Sequence, residues 1–132
     1  MSRIIIADDE AMFLTMAEFI LKKEGFDTVR TTSGEECLEQ FAAQGAELIV
    51  LDVLMPGASG FDVLMPGASG FDVFESLRGQ GADVPVLFMT AADDRETLLR
   101  AQQLGVPCCR KPFRREELVS AVRSMLNERE QV

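Results

Sequence analysis

Four short apolar stretches in this chain run straight into residues that could do chemistry. Ile4-Ile5-Ile6 leads through Ala7 into Asp8-Asp9-Glu10, and Leu48-Ile49-Val50-Leu51 stops at Asp52. Val84 to Met89 ends in Thr90, and the weaker run from Val106 to Arg110 ends in Lys111. Several carboxylates brought close together repel, and one takes up a proton unless a cation neutralises them. The chain has no histidine and no C-x-x-C spacing, so its ligands for an ion are oxygens. An all-oxygen set selects a hard cation, with Mg²⁺ the natural occupant. A lysine ammonium and a hydroxyl beside Asp52 would meet the needs of phosphoryl oxygens. An ionised aspartate polarised by Mg²⁺ can then act as a nucleophile and form an aspartyl phosphate. Taken singly, each residue has a plainer reading: a loop acid, a polar strand end, a threonine before a helix, a surface lysine. Only their convergence would make a site.

The elements that must bring them together can be read from pattern. Apolar runs without alternation suit strands buried on both faces of a parallel sheet. Strands are expected at Arg3 to Ala7, Asp27 to Thr31, Leu48 to Leu51, Val84 to Met89 and Val106 to Arg110. Between them, Phe13, Met16, Ala17 and Ile20 mark one apolar helix face, closed by Lys22, Lys23 and Gly25. Ser33-Gly34-Glu35-Glu36 reads as a capping box opening a helix that buries Leu38, Phe41 and Cys37 and closes near Gly45. A third helix is expected from about Phe71 to Arg78. Asp93, with Glu96, caps a fourth through Leu98, Leu99 and Leu104 to Gly105. A last helix carries Leu118, Val122 and Met125 on one face, with Arg123 and Arg129 towards its end. Strands alternating with helices demand parallel pairing and right-handed crossovers, so every strand's carboxyl end points to one edge. In open sheets of this kind ligands bind at that edge.

One stretch is unusual. The ten residues Asp52 to Phe61 are repeated without change as Asp62 to Phe71, and Asp72-Val73 begins a third copy. A short period present only twice is no solenoid. Pro66 and its flanking glycines forbid a continuous helix, which leaves one copy inserted in a strand-to-helix loop.

Composition narrows the classes. With 132 residues the chain makes one domain, 1–132, with the duplicated segment 52–61/62–71 inside it. A net charge of −9 without a basic cluster argues against nucleic acid as a direct partner. Cys37, Cys108 and Cys109 are an odd count, which argues against a disulfide framework and suits a reducing cytoplasm. No apolar run reaches membrane-spanning length, and the N-terminus lacks a signal-peptide pattern.

The motifs Ile4-Ile5-Ile6-Ala7-Asp8-Asp9-Glu10, Leu48 to Gly57, Val86-Leu87-Phe88-Met89-Thr90-Ala91 and Lys111-Pro112-Phe113 together resemble a response-regulator receiver domain. That is the phosphoacceptor module of two-component signalling. The resemblance covers the chain except for one copy of the repeat. It implies a flavodoxin-like (βα)5 fold, a doubly wound parallel five-stranded sheet of order 2-1-3-4-5. It implies that Asp52 accepts a phosphoryl group from a histidine kinase or histidine phosphotransfer protein. Asp9, Asp52 and the main-chain carbonyl of Leu54 would hold Mg²⁺, with Asp8 helping through water. Thr90 and Lys111 would bind phosphoryl oxygens, and the bond before Pro112 would be cis. Phosphorylation would then bias a two-state surface that binds a downstream protein. On this reading the chain is a stand-alone switch, not an enzyme beyond its own phosphorylation and dephosphorylation.

Three departures stand out. The repeat lengthens the loop after the acceptor; only Asp52, not Asp62, follows an apolar strand, so the acceptor is assigned to Asp52. Phe61, Val63, Leu64 and Met65 would be left partly exposed, which favours dimers. Cys108 stands where the resemblance leads one to expect an aromatic. Leu54 and Ala92, two residues beyond Asp52 and Thr90, cannot position an attacking water, so slow to moderate loss of phosphate is expected. Two rival readings are a degenerate receiver that binds proteins without phosphorylation, and a haloacid-dehalogenase-type Mg²⁺ phosphatase. The second needs an aspartate two residues after the first, where this chain has Leu54.

Overall fold

A computed structural model describes residues 2–53, 70–91 and 95–130. The elements alternate: β1 (Arg3–Ala7), α1 (Ala11–Lys23), β2 (Asp27–Thr31), α2 (Gly34–Gln44), β3 (Leu48–Asp52), α3 (Gly70–Gly79), β4 (Val86–Ala91), α4 (Arg95–Leu104), β5 (Cys108–Lys111) and α5 (Arg115–Glu130). All strand pairs are parallel, in the order β2-β1-β3-β4-β5. The expected doubly wound sheet is therefore present.

Successive side chains of a strand point to opposite faces, and the apolar runs feed two cores. Ile5, Ala7, Ile49, Leu51 and Phe88 pack with Cys37, Phe74 and Leu77 from α2 and α3. Ile4, Ile6, Leu48, Val50, Leu87 and Met89 pack with Leu14, Ala17, Leu21, Leu118 and Val122 from α1 and α5. Leu48 to Leu51 are wholly buried. Each such side chain contributes about 1.5–3 kcal/mol by burial, which is why β3 sits at the centre of the sheet.

Several local expectations shift. On α1 the buried residues are Leu14, Ala17, Ile20 and Leu21, while Met16 is exposed and Phe13 half-buried. On α2 the buried residues are Gly34 and Cys37, with Leu38 and Phe41 half-buried against the core. Ser33 Oγ accepts from the Glu36 N–H at 3.1 Å, as a cap should. The Glu36 carboxylate, however, accepts from the Thr32 N–H, one residue before the cap. Strand β4 begins two residues later than expected and includes Thr90; the Pro85 carbonyl accepts from the Ile49 N–H at 3.0 Å, but Pro85 has no N–H of its own to give to the ladder. Val106 lies just beyond α4, its N–H donating back to the Ala101 carbonyl at 3.0 Å, and β5 starts only at Cys108. The expectations for Leu54, Asp62, Ala92, the Asp93 cap and the apolar residues Phe61, Val63, Leu64 and Met65 fall outside the described residues.

The ends of the repeat-bearing connection are well defined. The Gly70 N–H donates to the Val53 carbonyl at 2.9 Å, and the Val53 N–H to the Met89 carbonyl at 3.0 Å. A Cβ on Gly70 would lie 2.7 Å from the carbonyl oxygen of Asp52 and 2.8 Å from Val53 Cα. Real Cβ atoms do not approach so closely, so only glycine lets α3 start against the end of β3.

Candidate functional site

The carboxyl ends of β1, β3 and β5 meet at one edge of the sheet. The Asp8 N–H extends the β1 ladder by donating to the Thr31 carbonyl at 3.1 Å, and Asp8 Oδ1 accepts from the Glu10 N–H at 2.9 Å. These bonds hold the short connection before α1 and leave the other carboxylate oxygen facing inward. Lys111 Nζ lies 2.6 Å from Asp8 Oδ2, 3.1 Å from Asp52 Oδ2 and 3.4 Å from Glu10 Oε1. One ammonium thus ties β5 to β1 and β3, with Asp8, Asp52 and Lys111 all buried. The Lys111–Pro112 peptide bond is cis.

One carboxylate oxygen from each of Asp8, Asp9, Glu10 and Asp52 lies within 4.8 Å of the others. Such a cluster carries more negative charge than one lysine balances, and a hard divalent cation suits its oxygen donors. Burial raises the Asp8 pKa to about 6; the Asp52 charge adds to the rise, and the bonds from Lys111 and the Glu10 N–H oppose it. Burial works against the Lys111 ammonium, but its hydrogen bond to Asp8 and the Asp52 charge outweigh that, and its pKa lies above the ordinary value. The Thr90 hydroxyl is buried and has no hydrogen-bond partner among the described residues. An unpaired buried hydroxyl costs about 1–3 kcal/mol, a cost that a bound anion at that point would remove.

Asp8, Asp9, Asp52 and Lys111 therefore come together, and Thr90 sits on the strand between β3 and β5. Glu10 was read only as part of an acidic run; the cluster and the Lys111 contact include it. The signal was its place directly after Asp8-Asp9, ahead of the first turn of α1. In the core behind the site, Cys108 is half-buried, and the aromatic volume comes from Phe71 and Phe74, whose ring centroids lie 5.0 and 5.8 Å from that of Phe88.

The family described as the response regulator receiver domain matches residues 4–64 and again 61–123. The chain belongs to that family. The two matched stretches overlap at residues 61–64, where the first copy of the decapeptide gives way to the second. The sensory transduction protein RegX3 of Mycobacterium tuberculosis is 32% identical over 127 residues, covering 96% of this chain and 51% of that protein. The alkaline phosphatase synthesis transcriptional regulatory protein PhoP of Bacillus subtilis is 30% identical over 129 residues, covering 97% and 50%. The receiver domain thus spans about half the length of these curated relatives. A response regulator receiver domain from Clostridium thermocellum shares the fold, with a TM-score of 0.83 at 22% identity over 99% of this chain and 98% of that one. Among the described residues, no helix is long and apolar enough to cross a membrane.

Proposed function

We propose that this receiver domain accepts a phosphoryl group on Asp52 and uses it to switch a protein-binding surface. The observation that carries the reading is the buried Asp52–Lys111–Asp8 arrangement, with Asp9 and Glu10 in the same cluster. An Asp52 oxygen would attack the phosphorus of a phosphohistidine; the new P–O bond forms as the P–N bond breaks, and the electron pair leaves with the imidazole nitrogen. Lys111 would turn its ammonium to the incoming phosphoryl oxygens, and the Thr90 hydroxyl, without a partner among the described residues, would donate to another. Asp9 and Asp52 would hold Mg²⁺, with Asp8 helping through water; the Leu54 carbonyl, the further ligand that the resemblance implies, lies outside the described residues. When bound, the ion would offset the charge that builds on the transferred group.

The donor would be a histidine kinase or histidine phosphotransfer protein, and the receiver would act in the cytoplasm on a downstream protein. No turnover of a separate substrate is expected, and slow to moderate loss of the phosphate is expected, because the Leu54 and Ala92 side chains have no group to orient water. One observation favours a second reading: the repeat begins at the acceptor itself, so a degenerate receiver that binds partners without phosphate would also account for it. Labelling by a small phosphodonor separates the two. Phosphate uptake that requires Mg²⁺ and is lost in Asp52→Asn supports the switch; no uptake by the intact chain supports the degenerate receiver.

A further inference from the structure

The lysine at the centre of the site has a fourth neighbour that is not a carboxylate. Lys111 Nζ lies over the ring of Phe13, 4.3 Å from its centroid. Phe13 stands in the first turn of α1, where the Leu14 N–H donates to the Glu10 carbonyl at 3.1 Å. The same turn is tied to Asp8 through the Glu10 N–H. Behind it, the Phe13 ring packs on Phe113, with centroids 6.1 Å apart and planes inclined at 47°. Phe113 is buried beneath α1 and α5, so the Phe13 ring is backed by the core.

A lysine ammonium is a compact charge on a flexible four-carbon stem with three rotatable donors. Three carboxylates, at 2.6, 3.1 and 3.4 Å, compete for it. The negative face of an aromatic ring adds a further attraction for the cation, stronger where water is excluded. The ring also covers one side of the ammonium against water, which would otherwise screen it.

Resting on the phosphoacceptor reading for its kinetic consequence, we propose that Phe13 is a positioning residue for the phosphorylation reaction. Its ring holds the Lys111 ammonium between the β1 acids and Asp52, where it meets the incoming phosphoryl group. The residue acts through Lys111 and touches no phosphate itself.

The test uses the full 132-residue chain and two readouts. The first is the NMR shift of the Lys111 ε-methylene protons, which a ring face at this distance moves upfield. The chain has only three lysines, Lys22, Lys23 and Lys111, so the signal is readily assigned. The second is the rate of labelling by phosphoramidate at saturating Mg²⁺. In Phe13→Leu the upfield displacement is expected to vanish and the labelling rate to fall about threefold to tenfold. Phe13→Tyr, which keeps the ring, is expected to restore both, whereas a purely space-filling role would leave Leu and Tyr alike. If Leu is not tolerated, Phe13→Met serves the same comparison. A wild-type rate in Phe13→Leu, or failure of Tyr to restore it, overturns the proposal. Phosphate uptake by a wild type whose Lys111 protons show no displacement overturns the proposal alone. A displaced signal in a wild type that takes up no phosphate overturns the phosphoacceptor reading, and the kinetic role of Phe13 with it.

Discussion

Two strand-to-helix junctions bring carboxylates to the same cleft by opposite means. The β1–α1 junction is Asp8-Asp9-Glu10 alone, and its own side chains and amides lock it: Asp8 Oδ1 accepts from the Glu10 N–H. The β3–α3 junction runs over residues 53–69, yet its ends are joined by the Gly70 to Val53 hydrogen bond. In the first, the loop is the site. In the second, the position of Asp52 is set by its strand and by the contact at Gly70, whatever the length between. A long connection is tolerable because closure entropy grows only with the logarithm of loop length.

The sharpest way to break this contrast is Gly70→Ala. The new methyl would meet backbone atoms of Asp52 and Val53 at 2.7 and 2.8 Å, and backbone cannot yield as a flexible side chain does. A loss of roughly 2–4 kcal/mol in chemical denaturation is expected. Gly79→Ala in the same helix has open space around it and should be neutral or slightly stabilising. Equal effects at the two glycines would contradict the account of the junction.

The short junction is probed by pH. Burial raises Asp8 from 3.8 to about 6, so between those values the folded protein keeps a proton that the unfolded chain has lost. Stability from this group therefore falls as pH rises from about 4 to about 6, and changes little above that. Asp8→Asn should be more stable than the wild type by roughly 1–3 kcal/mol at neutral pH, with the two converging below about pH 4. Thermal melting across that range checks it, and an Asp8→Asn protein less stable at neutral pH would refute it.

The smallest expected effect comes from deleting residues 62–71, which returns the long junction to a single copy of the motif. The logarithmic dependence gives a gain of about 1 kcal/mol. A much larger gain would mean that the extra copy strains the sheet edge, and the two junctions would then differ in more than length.

How far the sequence revealed this depended on the residues. Ile4 to Ile6 and Leu48 to Leu51 are apolar without interruption, which leaves little but a central parallel strand, and the acids at their ends had to share an edge. The inward face of α1 was harder to read, because Met12, Phe13, Leu14, Met16, Phe19, Ile20 and Leu21 fit several helical stripes at once. Packing against β1 and α5 selects Leu14, Ala17 and Leu21 and leaves Met12 and Phe19 exposed. Phe13 was accordingly assigned to the core, although its ring also faces Lys111. The starts of β4 and β5 were misplaced by two residues because apolar residues flank both strands. Which glycine closes the long junction was invisible from local sequence, since Gly60 and Gly70 have identical neighbours for eight residues before and three after.

The central claim is that one aspartate of two identical candidates carries the phosphate. Mass-spectrometric mapping of the phosphodonor-treated chain, with Mg²⁺ present, tests it most directly. Phosphate is expected on Asp52 and absent from Asp62; phosphate on Asp62, or on neither, would contradict the account.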